Sequence, residues 1–206
     1  MSVGAVVFDI GNVLIEWNPE RVFDRVIGPT RRKALFAEVD LHGMNLEVDR
    51  GADFAAAVEA LATRHPAHAI HIRLWRSNWL EMASPEIPHS VRLLHALKAR
   101  GVPVFALTNF GIETYRIARA AYPFLNEFDR AWVSGHMGLI KPDPAIYAAL
   151  EHDSGIAPGA LLFTDDRPEN IAVARARGWQ VHLFDDAAGW AQALVNAGLL
   201  TDKEAR

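Results

Sequence analysis

The chain has 206 residues, half of them hydrophobic and 22% charged, which suits one domain with a real core or one domain with a modest insertion. It contains no cysteine, which excludes disulfide scaffolds, thiolate metal sites and cysteine nucleophiles and fits a reducing compartment. The net charge of −4 argues against general nucleic-acid binding, because that function needs a basic surface. The N-terminus, MSVGAVVFDIG, lacks the basic region of a signal peptide, and no apolar run approaches the roughly 20 residues of a membrane span. We therefore expect a cytoplasmic protein that binds neither nucleic acid nor membrane; the sequence does not determine its oligomeric state.

Short apolar runs alternate with helical patterns along most of the chain. Asp143 is a plausible N-cap for one helix, with Pro144 at its first position and Gly155 at its end. Alternating strands and helices with apolar strands predict a Rossmann-like α/β fold, a parallel sheet with helices on both faces. In chain order the predicted elements are strand GAVVFD, helix HSVRLLHALKARG, strand VPVFALTN, helix IETYRIARAAY, helix PDPAIYAALEHDSG, strand ALLFTDD, helix PENIAVARARG, strand WQVHLF and helix AAGWAQALVNAG.

One segment interrupts this alternation. Residues 16–88 show helical periodicity without a convincing strand, which predicts an insertion of three or four helices between the first two strands of the sheet. The prolines of SPEIP suit a hinge at its end. We therefore predict a core domain of residues 1–15 and 89–206 and a helical insertion of residues 16–88. An insertion at this place would lie over the carboxyl edge of the sheet, where open α/β sheets bind ligands.

Polar side chains gather where the predicted strands end. Each alone has an ordinary structural explanation, since an Asp after a strand often caps a helix and a lone loop lysine is usually solvated. Together they place three carboxylates, a hydroxyl, an amide and a fixed cation at one edge of a parallel sheet. These residues are Asp9, Thr108, Asn109, Lys141, Asp165 and Asp166.

The segments that carry these residues resemble a known family. VVFDIGNVL, ALTN, GLIKPDPAIY and LLFTDDRPENI are similar, in this order, to the four motifs of the haloacid dehalogenase-like (HAD) hydrolases. The resemblance covers residues 1–15 and about 89–200, and the helical insertion matches the family's cap in place and type. Within the family, the form FDIGNVL most resembles the small bacterial sugar-phosphate phosphatases, including those that hydrolyse α-D-glucose 1-phosphate.

The resemblance implies that Asp9 is a nucleophile, which attacks phosphorus and forms an aspartyl-phosphate that water then hydrolyses. It also implies a Mg²⁺ cofactor, because a phosphate dianion repels an approaching carboxylate. Asp9 and Asp166 would be direct ligands together with the backbone carbonyl of Gly11, and Asp165 would act through water or through hydrogen bonds.

The remaining motif residues would bind the transferring phosphoryl group. Lys141 would neutralise both Asp9 and the phosphate, for which its compact ammonium is suited. Thr108 and the backbone around Asn109 would donate hydrogen bonds to the transferring oxygens.

Gly11 departs from the usual pattern of phosphatases in this family, which have a second aspartate two residues after the nucleophile as general acid. Glycine keeps the backbone carbonyl but removes the acid, and general acid catalysis contributes roughly 10²–10⁴ in rate. An enzyme without this acid should favour acidic leaving groups, such as the anomeric oxygen of a sugar 1-phosphate. Glu16 is a conceivable replacement, although a solvated surface role is the simpler expectation.

The cap is expected to set specificity. Trp17 is a candidate for stacking on a sugar and Arg50 for pairing with a phosphate or hydroxyl, beside Glu16 as a third substrate-binding candidate. The structural alternatives are hinge packing for Trp17 and an ion pair with Asp49 or Glu47 for Arg50.

Two other functions compete with a phosphatase acting on small phosphorylated metabolites. A 2-haloacid dehalogenase also uses an aspartate nucleophile without the second aspartate, but it needs no metal, and the carboxylate pair in TDD has no task in halide release. A non-catalytic protein that binds a phospho-ligand or a partner would explain the lost acid but not the retention of Asp9, Lys141 and Asp166.

Overall fold

The protein, described here over residues 2–206 as a computed structural model, has two sheets. The larger sheet has five parallel strands in the order β5-β4-β1-β6-β7, and β2 pairs antiparallel with β3 in a separate ribbon. This arrangement confirms the predicted α/β class. The strands are β1 (Ala5–Phe8), β2 (Ile15–Trp17), β3 (Ala83–Glu86), β4 (Val104–Thr108), β5 (Arg130–Val133), β6 (Leu161–Asp165) and β7 (Gln180–Leu183).

Twelve α-helices of the described chain cover the sheet and form the insertion. The predicted caps of α10 are confirmed, since the Asp143 side chain accepts from the Ala145 backbone N–H and Gly155 is left-handed at φ 67°. The helices are α1 (Pro19–Ile27), α2 (Pro29–Glu38), α3 (Leu41–Asp49), α4 (Phe54–Arg64), α5 (Ala69–Ser77), α6 (Trp79–Met82), α7 (Pro88–Ala99), α8 (Ile112–Ala121), α9 (Ser134–Met137), α10 (Pro144–Ser154), α11 (Pro168–Ala176) and α12 (Ala187–Asn196).

The insertion differs from its prediction in two ways. It contains six α-helices rather than three or four, because Pro29 starts α2 directly after α1 and Asn78 separates α5 from α6. The expectation of no strand was also wrong, since β3 pairs with β2 at the base of the insertion. The division of the chain at residues 16 and 88 stays a prediction, and we use "cap" below for residues 16–88.

The central strands β1, β4 and β6 are buried on both faces, as their near-continuous apolar sequences predict. Along β1, Val6 and Phe8 belong to one hydrophobic cluster, and Ala5 and Val7 belong to the other. The first cluster continues without interruption into the cap, where Trp75 is fully buried. The cap therefore packs on the core through the same apolar interior that supports β1.

The topology places a crevice at the centre of the sheet. From β1 the chain passes through the cap to β4 and outward to β5, then returns to β6 on the other side of β1. Ligands of open α/β sheets bind outside the carboxyl ends of the strands at such a reversal. In residues 2–206, no helix is both long enough and apolar enough to cross a membrane.

Candidate active site

The carboxyl edge of the sheet and the cap together enclose a cavity of about 430 Å³. From the core, Asp9 follows β1, Thr108 ends β4 and Asp166 follows β6, so parallel strand ends bring them together. Lys141 joins them from the loop before α10. The facing wall from the cap comprises Glu16, Trp17, His42, Gly43, Asn45, Leu46, Asp49, Trp79 and Ala83.

Lys141 is held between two buried carboxylates. Its Nζ lies 3.0 Å from Oδ1 of Asp9 and 2.7 Å from Oδ2 of Asp165. Burial alone would lower the pKa of Lys141, but the charges of Asp165 and Asp9 and their hydrogen bonds raise it above the ordinary value. The side chain is thus an ammonium at neutral pH, fixed beside Asp9.

Asp165 is a structural partner of Lys141 rather than an open ligand. Its Oδ1 accepts from the Arg167 backbone N–H at 2.8 Å and from Asn170 Nδ2 at 2.9 Å. Its Oδ2 accepts from Lys141 and, at 3.0 Å, from Asn170. These four contacts occupy the lone pairs of a carboxylate, so Asp165 orients Lys141 and closes the β6 end of the site.

Asp9 has one occupied and one open oxygen. Oδ1 accepts from Lys141 and, at 2.7 Å, from the backbone N–H of Ile10, whereas no hydrogen bond from residues 2–206 reaches Oδ2. Burial raises the pKa of Asp9 to about 7; Lys141 opposes this rise, and the charges of Asp165 and Asp166 add to it. A further positive charge at the site would favour the ionised carboxylate.

Asp166 is tied to the loop after β1. Its Oδ2 accepts from Asn12 Nδ2 at 2.9 Å, and Asn12 Oδ1 in turn accepts from the Trp17 backbone N–H at 2.9 Å. Asn12 has φ 55°, a left-handed conformation that asparagine tolerates better than most residues. Asn12 therefore links Asp166 to the loop that enters the cap.

The donor set fits a hard divalent cation. One carboxylate oxygen from each of Asp9, Asp165 and Asp166 lies within 4.8 Å of the others. Oxygen ligands of this kind, completed by waters and substrate phosphate, suit Mg²⁺. Since Asp165 already has four hydrogen bonds, the open oxygens of Asp9 and Asp166 are the candidate direct ligands, with Gly11 beside them on the cavity wall.

The β4 end contributes the hydroxyl of Thr108 and the side-chain amide of Asn109. Thr108 is buried and lines the cavity. The Asn109 side chain donates to the Lys141 carbonyl and accepts from the Lys141 backbone N–H, both at 2.9 Å. Asn109 therefore fixes the loop that carries Lys141, a task for its side chain that the sequence did not indicate.

The three cap candidates fall in different places. Trp17 lines the cavity and packs against Trp75 and Trp79, with ring centroids 6.0 Å apart in each pair. Glu16 also lines the cavity but is exposed and pairs with Arg21 at 2.9 Å. Arg50 is not among the cavity-lining residues; it is exposed and pairs with Glu47 at 2.6 Å, which was one of the predicted structural alternatives.

Four further site residues were not identified from the sequence. Asn170 was hidden in the helix PENIAVARARG, although its amide reaches Asp165 from the first turn. Asn12 lies within the segment VVFDIGNVL, but no role was predicted for its side chain. Asn45 and Asp49 lie on α3, a helix that the sequence did not predict, because the segment LHGMNLEVD contains a glycine and an asparagine between its apolar positions.

Comparison with known proteins defines the class. A family model for haloacid dehalogenase-like hydrolases matches residues 3–178. The chain therefore belongs to the haloacid dehalogenase-like hydrolases.

Individual relatives match more narrowly. A sesquiterpene phosphatase of Aspergillus oryzae is 31% identical over 97 residues, which are 47% of this chain and 50% of that protein. A D-ribitol-5-phosphate phosphatase of Bacteroides thetaiotaomicron is 32% identical over 72 residues, 34% of this chain and 35% of that protein. The chain thus matches half or less of the length of these curated relatives.

The fold extends over a whole solved structure. A HAD family enzyme of Bacteroides thetaiotaomicron superposes with a TM-score of 0.78 at 22% identity, covering 94% of this chain and 99% of that one. Another structure of that enzyme, at a TM-score of 0.72, is a complex with magnesium and inorganic phosphate. At this identity, the likeness shows a shared fold.

Proposed function

We propose that this chain is a Mg²⁺-dependent phosphatase that hydrolyses small phosphorylated metabolites, preferably sugar 1-phosphates, through an aspartyl-phosphate on Asp9. The observation that carries the proposal is the buried pair of Asp9 and Lys141, 3.0 Å apart at the carboxyl edge of the sheet, inside a cluster of three carboxylates. The phosphatases among the relatives, and the magnesium and phosphate in the related structure, support the same reaction class.

The residues of this chain would have different roles in the reaction. Asp9 attacks phosphorus with a carboxylate oxygen, and the Lys141 ammonium and the Ile10 backbone N–H hold the carboxylate in place through Oδ1. Lys141 neutralises charge on Asp9 and the phosphoryl group, and the Thr108 hydroxyl donates to a phosphoryl oxygen. Water then hydrolyses the aspartyl-phosphate and restores Asp9.

Asp9, Asp166 and the Gly11 carbonyl would hold the metal, with Asp165 supporting through Lys141. When bound, Mg²⁺ supplies positive charge that lessens the repulsion between the carboxylate and the phosphate dianion.

The preference for sugar 1-phosphates rests on two features. Gly11 places no acid at the usual position, and an anomeric oxygen leaves more readily than a primary alkoxide whichever group donates the proton. Trp17 presents an aromatic face to the cavity, which suits a sugar ring. Halide displacement needs no cation, so the open carboxylate of Asp166 favours the phosphatase over a dehalogenase.

The test is phosphate release from paired sugar 1-phosphates and 6-phosphates, with Mg²⁺ or with a chelator. We expect Mg²⁺-dependent release that is faster for the 1-phosphates and that falls by at least about 10⁴-fold in Asp9→Asn. No release from any phosphate ester, combined with metal-free halide release from a 2-haloacid, would contradict the proposal. Binding of phosphate without turnover would favour the non-catalytic alternative.

A further inference from the structure

The missing acid at Gly11 leaves a gap in the site. A Cβ built on Gly11 would have no heavy atom of residues 2–206 within 4 Å apart from those of Gly11 itself and its two chain neighbours, so no side chain from elsewhere in this part of the chain fills the place of the absent carboxyl. Protonation of a leaving oxygen would then need a donor from another part of the cavity wall.

The titratable cap residues on that wall are Glu16, His42 and Asp49. Glu16 is exposed and salt-bridged to Arg21, and His42 is exposed at the cavity rim. Asp49, at the last position of α3, is half-buried and close enough to feel the charge of Asp9. Asp49 is thus the cap carboxyl that is both partly shielded from solvent and close to the nucleophile Asp9.

A hydrogen-bond chain from the cap interior orients this carboxyl. The indole Nε1–H of the buried Trp75 donates to Asn45 Oδ1 at 3.0 Å. Since an indole can only donate, Asn45 must direct its Nδ2 to Asp49 Oδ2, which lies 2.9 Å away. The Oδ2 atom is therefore an acceptor, and this hydrogen bond orients the Asp49 carboxyl.

Close contacts hold the C-terminal end of α3, where Asp49 lies, against the core. The Asp49 carbonyl accepts from Ser134 Oγ at 2.6 Å. A Cβ on Gly111 would lie 2.5 Å from Val48 Cγ1, and one on Gly51 would lie 2.7 Å from the Gly135 carbonyl oxygen. Gly111 lies two residues after Asn109, so this contact holds the end of α3 against the loop that follows β4, and Asp49 lines the same cavity as Asp9 and Thr108.

The surroundings favour the protonated acid. Burial raises the pKa of Asp49 to about 8; a hydrogen bond from the Gly111 backbone lowers it, and the charge of Asp9 adds to the rise. The Asp9 carboxylate is the charged group that acts on Asp49 across the cavity. A carboxyl of this kind holds a proton to donate at neutral pH.

The geometry points to Asp49 as the general acid that replaces the side chain absent at Gly11, an assignment that rests on the proposed phosphatase function. As Asp9 forms its bond to phosphorus and the bond from phosphorus to the leaving oxygen breaks, the proton of the Asp49 carboxyl moves to that oxygen, and the alcohol departs. In the second step the oxygen of a water molecule bonds to phosphorus, and the Asp49 carboxylate takes one proton from that water. The bond from phosphorus to Asp9 then breaks, and inorganic phosphate leaves with both carboxyls restored.

The experiment compares first-turnover rates of wild type and Asp49→Asn with Mg²⁺ on two substrates. A sugar 6-phosphate has a leaving oxygen that needs a proton, whereas p-nitrophenyl phosphate does not. We expect Asp49→Asn to lose about 10²–10⁴-fold on the 6-phosphate while its burst of p-nitrophenol stays within a few-fold of wild type. The matched control is Glu47→Gln. Glu47 is an exposed acid on the same helix and pairs with Arg50, so its replacement should leave both rates unchanged.

A second variant separates proton donation from cap packing. Because Gly11 has open space for a side chain, Gly11→Asp placed in Asp49→Asn should recover at least about 10-fold of the 6-phosphate rate. Equal losses on both substrates, no loss on either, or no recovery by Gly11→Asp would overturn the assignment. A wild-type enzyme that turns over neither substrate would instead overturn the proposed function, and the assignment with it.

Discussion

The core edge and the cap wall contribute to one cavity by different physical means. At the core edge, charges are buried and locked, since Lys141 has two carboxylate partners and Asp165 has four hydrogen bonds. In the cap most charges are exposed, as in the ion pair of Glu16 with Arg21 and, outside the cavity, that of Arg50 with Glu47. The buried set can stabilise charge in a reaction, whereas the exposed set can change with little effect on the chemistry. Asp49 is the exception, a cap residue in core-like surroundings.

The largest expected effect comes from breaking the buried charge set. Lys141→Met leaves Asp9 and Asp165 facing each other without a cation, and removing one partner of a buried pair costs about 3–5 kcal/mol. We expect that loss in the free energy of unfolding from urea denaturation near pH 7, together with loss of turnover. Since Asp9 has a pKa of about 7 and loses its charge on protonation, the deficit should shrink as the pH falls below 7.

The matched control is Lys98→Met, which removes the exposed ion pair with Asp129. Surface pairs contribute about 0–1 kcal/mol, so this variant should unfold near the wild-type denaturant concentration. Equal destabilisation by both substitutions would contradict the distinction between locked and exposed charges.

A smaller effect on stability tests whether the Asp49 carboxyl is held as a buried core group is. Its folded pKa of about 8 lies above the ordinary value near 3.8, so the folded chain keeps a proton that the unfolded chain releases. This group's contribution to stability is complete below about pH 4 and is lost as the pH rises toward 8. Asn has no proton to lose, so the stability of Asp49→Asn relative to wild type should increase from pH 4 to pH 8. The expected increase in the free energy of unfolding is at least about 1 kcal/mol, or ~2–4 °C in Tm.

Thermal unfolding of both proteins without added Mg²⁺ across this pH range measures the difference. A constant difference would mean that Asp49 is ionised throughout, which is incompatible with its role as a proton donor. Asp53→Asn provides the comparison, because Asp53 caps α4 at an exposed position. Because Asn and Asp are about equally good N-caps, this variant should stay close to wild type across the pH range.

The sequence predicts the core edge far better than the cap wall, and the reason is structural. Asp9, Thr108 and Asp165 lie at strand ends, and the parallel sheet brings all strand ends to one edge, so local patterns suffice. Asn45 and Asp49 reach the cavity only because α3 docks through glycine contacts between segments more than sixty residues apart. No periodicity within one segment contains that information.

The same reasoning explains the missed strands. In β5 only two of the four residues are buried, so it lacks the apolar run that marks β1 or β4. β3 has a proline within four residues, which argues against a strand in sequence but is tolerated in a two-stranded ribbon. Each of the two pairs with a strand that is distant in sequence, β5 with β4 and β3 with β2, and no local pattern shows that pairing.

The smallest expected effects separate two cap residues that the sequence treated alike. Trp17→Ala removes an aromatic surface of the cavity and should raise KM for a sugar phosphate by about 10-fold, roughly 1.4 kcal/mol of binding. Arg50→Ala breaks only an exposed pair with Glu47 outside the cavity, so KM should change by less than about 2-fold. Steady-state kinetics on one sugar 1-phosphate decide between them. If Arg50→Ala raised KM more than Trp17→Ala, Arg50 would have to leave Glu47 and reach the substrate, and the cap wall would then be rearranged by binding rather than preformed.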